Sequence, residues 1–506
     1  MPIINSFISW LMKKRIHQIE LFMKYPHEVQ QEVFQKLITT ASNTEWGNKY
    51  KYHEIKNYAH FSSRVPLQDY EDIKQYVVRL KQGEKNLLWP GEVKWFAKSS
   101  GTTNDKSKFI PVTREALEEC QFKAGKDMLS IYCFNNPSTK IFQGKSLAIG
   151  GSRQINQFNR ESYYGDLSAI IIKNLPFWAD MLSTPEQSIA LMENWEEKIE
   201  KIAAFTSNEN VTSITGVPSW ALVILNKVLE IKGKNDISEI WPNLEVFFHG
   251  GVSFTPYLEQ FKNIISSPYM SFLETYNASE GFFGIQDTVH SKELLLMLDY
   301  GIFYEFIPVS EYTSENPKVI SLQEVEKNVN YAMLISTNGG LWRYKIGDTV
   351  QFTSLNPYRI TISGRTKHFL NVFGEEVMID NAEKALLAAC QKTNAIVTDY
   401  TVAPVFLKNK EAGAHEWLIE FKENPNDIHF FIEVLDNSLK AINSDYEAKR
   451  YGNYILQKPI VRMLPNGTFY EWMKQRGKLG GQNKVPKLSN DRKYIDSIQT
   501  FMKINP

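Results

Sequence analysis

The sequence predicts an α/β protein: a large N-terminal domain of mixed sheets and helices, then a small α+β C-terminal domain. Three observations carry that expectation. The 506 residues exceed what one hydrophobic core organises, so two or more domains are the default. In the first half, apolar strand runs alternate with helical periodicity and end in polar turns, the pattern of layered α/β architecture. Beyond them the pattern turns to hairpins, and then to a self-contained stretch of two helices and two strands.

The first segment, "MPIINSFISWLMKKRIHQIELFMKYP", places its apolar stretch before the basic "KKR", the reverse of a secretory signal. It reads as an amphipathic helix packed on the body of the protein, or as one that touches a membrane surface. No apolar run approaches the length of a membrane span. Helices with turns continue to residue 90, including "HEVQQEVFQKLITTA". "VKWFAKSS" (93–100) is a strand that enters the polar loop "SSGTTNDKSK", and "FIPVT" (109–113) is a short strand that leaves it. Leu117, Cys120, Ala124, Met128 and Ile131 follow at steps of three and four, one face of a helix.

"SLAIGGS" (146–152) is an apolar run ending in glycines. "VTSITGVPSWALVILNKVLEIKG" reads as a strand, a Gly/Pro turn and a helix apolar on most faces, hence one buried between layers. "LEVFFHGGVS" and "YMSFLETYNASEGFFG" each run from an apolar strand into a turn of small residues. Ligands of open α/β sheets gather at the carboxyl ends of strands, where three of these loops lie.

Then come "LLLMLDYGIFYEFIPV", "YAMLISTNGGLWRYKIGDTVQF" and "YRITISG", β-hairpin material with Asn-Gly and Gly-Asp turns. After Gly364-Arg365, a helix begins near Asp380 with Glu383 three residues on, a capping-box pattern. A second helix carries Ile428, Phe431, Ile432, Leu435, Leu439 and Ile442 on one face, with "AIVTDYTVAPVF" and "EWLIEFKE" as strands between the two helices. The expected division is 1–366 and 367–506.

Composition narrows the function. Lys+Arg and Asp+Glu balance at 57 each, so no global field favours nucleic acid or an anionic membrane. Cys120, Cys133 and Cys390 are odd in number and far apart, which argues against a disulfide framework or a zinc cluster and fits a reducing cytoplasm. No G-x-S-x-G elbow and no evident Cys-His nucleophile occur.

The loop after Ser99 fails as a Walker phosphate loop: after Gly101 the second glycine is missing and Lys106 arrives one position early. Its parts nonetheless suit phosphate. Ser99, Ser100, Thr102 and Thr103 offer hydroxyl donors, Gly101 permits close backbone approach, and Lys106 or Lys108 supplies charge. A polar hairpin fits the same composition. Glu280 at a strand end suits a hard cation or a helix cap, and Tyr276 suits a stacked base or a core. Asp348, in "WRYKIGDTV", suits the two hydroxyls of a ribose or a plain hairpin turn.

Order and spacing separate these readings. "SSGTTNDKSK", "YNASEG" and "YKIGD", followed by "SGR" and a small C-terminal domain, resemble the adenylate-forming enzymes. "SSGTT" with "KFIPVT", the "ITGVPSW" turn and the tail "GGQNKVPK" are most similar to the acyl-acid amido synthetases, the plant auxin- and jasmonate-conjugating enzymes and their bacterial relatives. The likeness covers nearly the whole chain. One departure is Asp105, where the wider superfamily carries glycine; a carboxylate there repels polyphosphate unless it turns away or meets Mg2+.

The resemblance implies a ligase that uses ATP and Mg2+ to turn a carboxylic acid into an acyl-adenylate, then passes the acyl group to an amine, typically of an amino acid. By that likeness Ser99, Ser100, Gly101, Thr102 and Thr103 cradle the β- and γ-phosphates. Tyr276 lies against the adenine with the 249–253 "HGGVS" turn beside it, and Gly251, Asn277 and Ser279 belong to the nucleotide-binding set. Glu280 helps hold Mg2+, while Asp348 and Arg365 meet the ribose. Lys484 swings in from a mobile small domain to neutralise charge at the α-phosphate; its alternative is a solvated tail lysine. Val217 and Trp220 are candidates for the acyl pocket, although most residues around them read equally as core. Residues 365 to 370 form the expected hinge, and the protein is expected to be a cytoplasmic monomer with no nucleic-acid partner. A thioester-forming acyl-CoA ligase shares the first step, and a non-catalytic nucleotide-binding protein is the remaining alternative.

Overall fold

The computed structural model describes residues 14–99, 108–150, 155–159, 161–192, 194–251, 254, 257–288, 291–312, 314–366, 370, 375, 377–406, 413–450, 456–478 and 484–504. Their strands form three sheets. In chain order the first are β1 (Trp95–Ser99), β2 (Lys108–Val112), β3 (Lys145–Ala148), β4 (Asn156–Gln157), β5 (Tyr163–Gly165) and β6 (Ser183–Thr184). Next come β7 (Val211–Gly216), β8 (Val246–Gly250), β9 (Ser271–Ala278), β10 (Gly281–Ile285) and β11 (Leu294–Leu296). Then follow β12 (Ile302–Pro308), β13 (Ile320–Ser321), β14 (Asn330–Thr337), β15 (Tyr344–Leu355) and β16 (Tyr358–Arg365). The small domain holds β17 (Ile396–Phe406), β18 (Gly413–Glu423) and β19 (Ile460–Leu464).

The largest sheet has twelve strands in the order β13-β12-β14-β15-β16-β11-β10-β9-β8-β7-β3-β6. Its two halves differ in direction. β6, β3, β7, β8 and β9 run parallel, and from β9 onward each pairing is antiparallel. The parallel half is the alternating strand–helix part of the sequence, since parallel neighbours need long crossovers; the antiparallel half is the hairpin part. Helix Pro218–Lys232 follows β7 with Pro at its first turn and stops at Gly233 in the left-handed region, φ 62°. Leu225 and Val228 on it are fully buried against Phe247 and Phe261.

A four-stranded sheet, β2-β1-β5-β4, carries the β1–β2 hairpin whose ends, Ser99 and Lys108, are register partners. The interior of that loop, residues 100 to 107, lies outside the described residues. At the N-terminus, residues 14 to 24 are helical and bury Ile16, Ile19 and Phe22 in the main core, the packed amphipathic helix expected of the stretch. The apolar residues before them lie outside the described residues. The helical face beginning at Leu117 opens as a wider π-helical segment, Ala116–Phe122, and continues as the α-helix Lys123–Asn135.

The third sheet, β17-β18-β19, is covered by helices Ile379–Thr393 and Ile428–Ile442, whose Leu386, Phe431, Leu435 and Leu439 form its core. Asp427 caps the second helix by accepting from the His429 and Phe430 N–H groups. Two local expectations change. Gly347-Asp348 does not turn a hairpin: it lies inside β15, where Gly347 at φ 87° bends the strand and the chain turns later, at Asn356-Pro357. The capping box at Asp380 is also displaced. The helix starts at Ile379, so Asp380 lies inside its first turn, where it meets Lys384 at 2.7 Å, and the Met378 N–H donates to Asn381 Oδ1 at 3.0 Å.

Candidate active site

The parallel half of the large sheet brings the carboxyl ends of β7, β8 and β9 together, and a cavity of about 1220 Å³ opens above them toward the small domain. Of the residues singled out in the sequence, Ser99, Val217, Trp220, Gly251, Tyr276 and Asn277 line it. So do Ser279, Glu280, Asp348, Arg365 and Lys484. Ser100, Gly101, Thr102 and Thr103 lie outside the described residues, as does Asp105.

Two glycines shape the floor. A Cβ on Gly250 would stand 2.5 Å from the Thr275 carbonyl oxygen, so only glycine lets β8 and β9 approach this closely. Gly251 has φ 80°, and a Cβ there would meet Lys484 Nζ at 3.4 Å and Val217 Cγ2 at 3.5 Å. Lys484 donates to the Gly251 carbonyl oxygen, joining the C-terminal tail to the end of β8. Val217 is the residue before helix Pro218–Lys232, which explains how the "ITGVPSW" turn reaches the same wall.

β9 and β10 form a tight hairpin in which Ala278 faces Gly281, so Ser279 and Glu280 are its two turn residues. Burial raises the Glu280 carboxyl above its usual range, Lys108 opposes that shift, and Asp348 adds to it. Asp348 and Arg365 are register partners on β15 and β16, with Arg365 Nε donating to Asp348 Oδ1 at 2.9 Å. The Tyr276 hydroxyl donates to Asp348 Oδ2 at 3.0 Å, and its ring packs on Phe283 with centroids 4.8 Å apart. Burial, then Asp348, pushes the Tyr276 phenol well up, so it stays neutral and a donor.

Lys484 lies inside the cavity, where water reaches it but protein surrounds it. That enclosure, with Arg365 second, lowers its ammonium to about 8. The cluster is thus mixed in sign: Lys108, Arg365 and Lys484 stand against Glu280 and Asp348. Glycine-lined floor, cations and carboxylates together fit a nucleoside triphosphate. One cavity-facing carboxylate suits Mg2+, which takes most of its remaining ligands from phosphate and water. No group of three or more metal-ligating side chains occurs among the described residues.

Two cavity residues go beyond the sequence reading: Glu274 carries no motif, and His249 enters only as the first residue of the 249–253 turn expected beside the adenine. His249, on β8, is 2% exposed, stacks on Phe254 with centroids 4.0 Å apart, and its Nδ1 has no partner among the described residues. Burial lowers its imidazole to about 3, so it is neutral. Glu274, on β9, has its carboxyl raised to about 7 by burial, with Glu383 adding and Lys292 opposing. The available signal was a charged or titratable residue within an apolar strand run, His249 in "VFFHG" and Glu274 in "SFLET".

Comparison with known proteins accords with this geometry. Residues 15–270 match the GH3 family N-terminal domain, 295–365 the GH3 family central domain and 380–493 the GH3 family C-terminal domain. Indole-3-acetic acid-amido synthetase GH3.4 of Arabidopsis thaliana is 22% identical over 567 residues, covering 96% of this chain and 93% of that protein. Jasmonoyl–L-amino acid synthetase GH3.5 of Oryza sativa subsp. japonica is 24% identical, covering 94% and 95%. The fold matches that of the solved AtGH3.15 acyl acid amido synthetase in complex with 2,4-DB at a TM-score of 0.79, with 16% identity and 97% and 96% of the two chains covered.

Proposed function

The chain belongs to the GH3 family, and on that premise we propose that it is an ATP-dependent acyl-acid amido synthetase. One observation carries the reading: candidate residues from widely separated segments, Ser99, Val217, Gly251, Glu280, Asp348 and Lys484 among them, converge on one cavity. An amide does not form from a free carboxylate at useful rates without a leaving group, and AMP supplies one. In the first step a carboxylate oxygen of the acid bonds to the α-phosphorus of ATP while the bond to pyrophosphate breaks. In the second, an amine nitrogen bonds to the acyl carbon and AMP departs.

Neither step needs a covalent enzyme intermediate, so the protein acts through positioning and charge. Ser99 and the loop that follows it, with Ser100, Gly101, Thr102 and Thr103, receive the phosphates. Tyr276, Asn277, Ser279 and Gly251 border the base. Asp348, flanked by Arg365, accepts from the ribose hydroxyls. Lys484 neutralises charge between the acid's carboxylate and the α-phosphate. Glu280 holds Mg2+, which when bound offsets phosphate charge. Val217 and Trp220 line the acyl pocket.

The working boundary lies at 366/367, with a small domain that turns between the half-reactions about residues 365 to 370. The protein acts as a monomer in the cytoplasm, consistent with three cysteines that form no disulfide. Among the described residues no helix is long and apolar enough to cross a membrane. The relatives act on different acids, indole-3-acetic acid and a jasmonoyl group, so family membership does not fix the acid used here.

The test has two parts. Acid-dependent exchange of labelled pyrophosphate into ATP is expected from a panel of carboxylic acids, and its absence with every acid rejects the reading. Products are then screened with amino acids offered against CoA. Amides are expected; thioesters alone would make the protein an acyl-CoA ligase.

A further inference from the structure

β8 and β9 run parallel with His249 and Glu274 as direct register partners. Registered partners on adjacent strands project to the same face, with strand axes about 4.8 Å apart. Glu274 also shares that face with Tyr276, two residues and roughly 6.6 Å further along the strand. His249, Glu274 and Tyr276 thus form a contiguous row in the cavity wall. The row ends beside Asp348, which holds the Tyr276 hydroxyl, and near Gly251, whose carbonyl holds Lys484.

Neither His249 nor Glu274 is explained by the adenylation step. The His249 Nδ1 lacks a partner among the described residues, in a side chain almost completely buried. The Glu274 backbone is satisfied, its N–H donating to Gln286 Oε1 at 2.8 Å, but its carboxylate accepts no hydrogen bond from the described residues. A carboxylate hemmed in without donors is costly unless a ligand supplies them. Facing Glu274 are Glu383, from helix Ile379–Thr393 of the small domain, and Lys292, from the segment before β11. Glu274 therefore faces the small domain, while His249 packs on Phe254 of the large one.

Resting on the amido-synthetase reading, we propose that His249 and Glu274 form the acceptor subsite: they bind the ammonium group of the amine substrate, and Glu274 removes the proton that makes it a nucleophile. A primary amine reaches the enzyme as R–NH3+, which has no lone pair to attack with. Glu274 takes one proton, and the neutral His249 ring accepts an N–H hydrogen bond that holds the nitrogen. The nitrogen lone pair then forms the C–N bond to the acyl carbon while the C–O bond to the AMP phosphate breaks. The second N–H proton leaves on the departing phosphate, so acyl-AMP and R–NH3+ give the amide and AMP, with one proton left on the AMP phosphate and one on Glu274. Burial tunes the carboxyl for this work: its raised value, about 7, lies where a general base is most effective near neutrality.

The test separates nucleophiles by protonation. Glu274→Gln is examined with an acid that supports pyrophosphate exchange, offering either an equimolar mixture of the proteinogenic amino acids or hydroxylamine, which is neutral at pH 7 and needs no base. Amide formation from amino acids is expected to fall by about 10²- to 10⁴-fold. Hydroxamate formation and pyrophosphate exchange are expected to persist, which also shows that the variant folds. In the unmodified protein the ratio of amide to hydroxamate should rise with pH and level off above about 7, whereas in Glu274→Gln it should lack that plateau and follow the neutral fraction of the free amine instead. Amide formation at the unmodified rate, or a parallel loss of amide and hydroxamate, overturns the acceptor subsite while leaving the amido-synthetase reading intact. Loss of exchange with every acid in the unmodified protein overturns both.

Discussion

Arg365 and Asp348 stand opposite each other on β16 and β15, and a single Asp348 carboxylate serves two donors: Arg365 Nε at 2.9 Å and the Tyr276 hydroxyl at 3.0 Å. The pair brings the last strand of the large sheet, where the chain leaves for the small domain, against the strand that carries the candidate nucleotide contacts. A ribose bound at Asp348 would compete with or join these donors. Asp348→Asn keeps the shape and removes the charge. Because hydrogen bonds to charged groups contribute about 1.5–3 kcal/mol, KM for ATP should rise about 10- to 100-fold with little change in kcat. Pyrophosphate exchange at varied ATP measures this, and an unchanged KM would remove Asp348 from the nucleotide site.

Lys484 gives a pH-dependent prediction. Its useful form is protonated, and enclosure by protein, then Arg365, lowers the ammonium to about 8. Adenylation should therefore be fully supported well below that value and decline as pH rises through it. Lys484→Arg, which keeps its charge, should flatten the alkaline limb. Lys484→Ala should reduce adenylation by about 10²- to 10³-fold and leave ATP affinity nearly unchanged. Acyl-AMP formation at the original rate in Lys484→Ala would reject the role.

How far the sequence discloses this site depends on whether a residue acts through local pattern or long-range register. The β9–β10 hairpin was readable because Ala278, Ser279, Glu280 and Gly281 are consecutive. The helix after β7 was readable from Pro218 and Gly233. Asp348 reads from the sequence alone as a ribose contact or a plain hairpin turn, because Gly-Asp usually turns, and only its pairing with Arg365 shows that the strand continues. His249 and Glu274 were invisible as a pair for the same reason: they are 25 positions apart in numbering and meet only through the parallel β8–β9 register. Parallel register has no local signal, since its crossover lies outside any short window.

Gly251 links backbone geometry to Lys484, which donates to its carbonyl oxygen. At φ 80° any L side chain is strained by about 1–3 kcal/mol. A Cβ would also press on Lys484 Nζ from 3.4 Å. Gly251→Ala should therefore both lower the rate of adenylation and raise KM for ATP, because it disturbs the lysine's docking point and the floor beside the base together. Single-turnover measurement of acyl-AMP formation checks this; an equal fall in amide formation from pre-formed acyl-AMP would place the effect elsewhere.

Glu280 ties metal demand to pH. Only the ionised carboxylate binds Mg2+, and burial raises this carboxyl while Lys108 partly opposes the rise. The Mg2+ concentration that half-saturates exchange should therefore increase as pH falls toward the raised value, since a growing fraction of Glu280 is protonated. Glu280→Gln has the same outline without the charge, and should increase that concentration by about 10- to 100-fold. It should also remove the dependence on pH, because no titrating ligand remains. Magnesium titrations at two pH values, on both proteins, decide the matter. If Glu280→Gln shows the same magnesium curve as the unmodified protein, the carboxylate is a turn residue and the metal is held by phosphate and water.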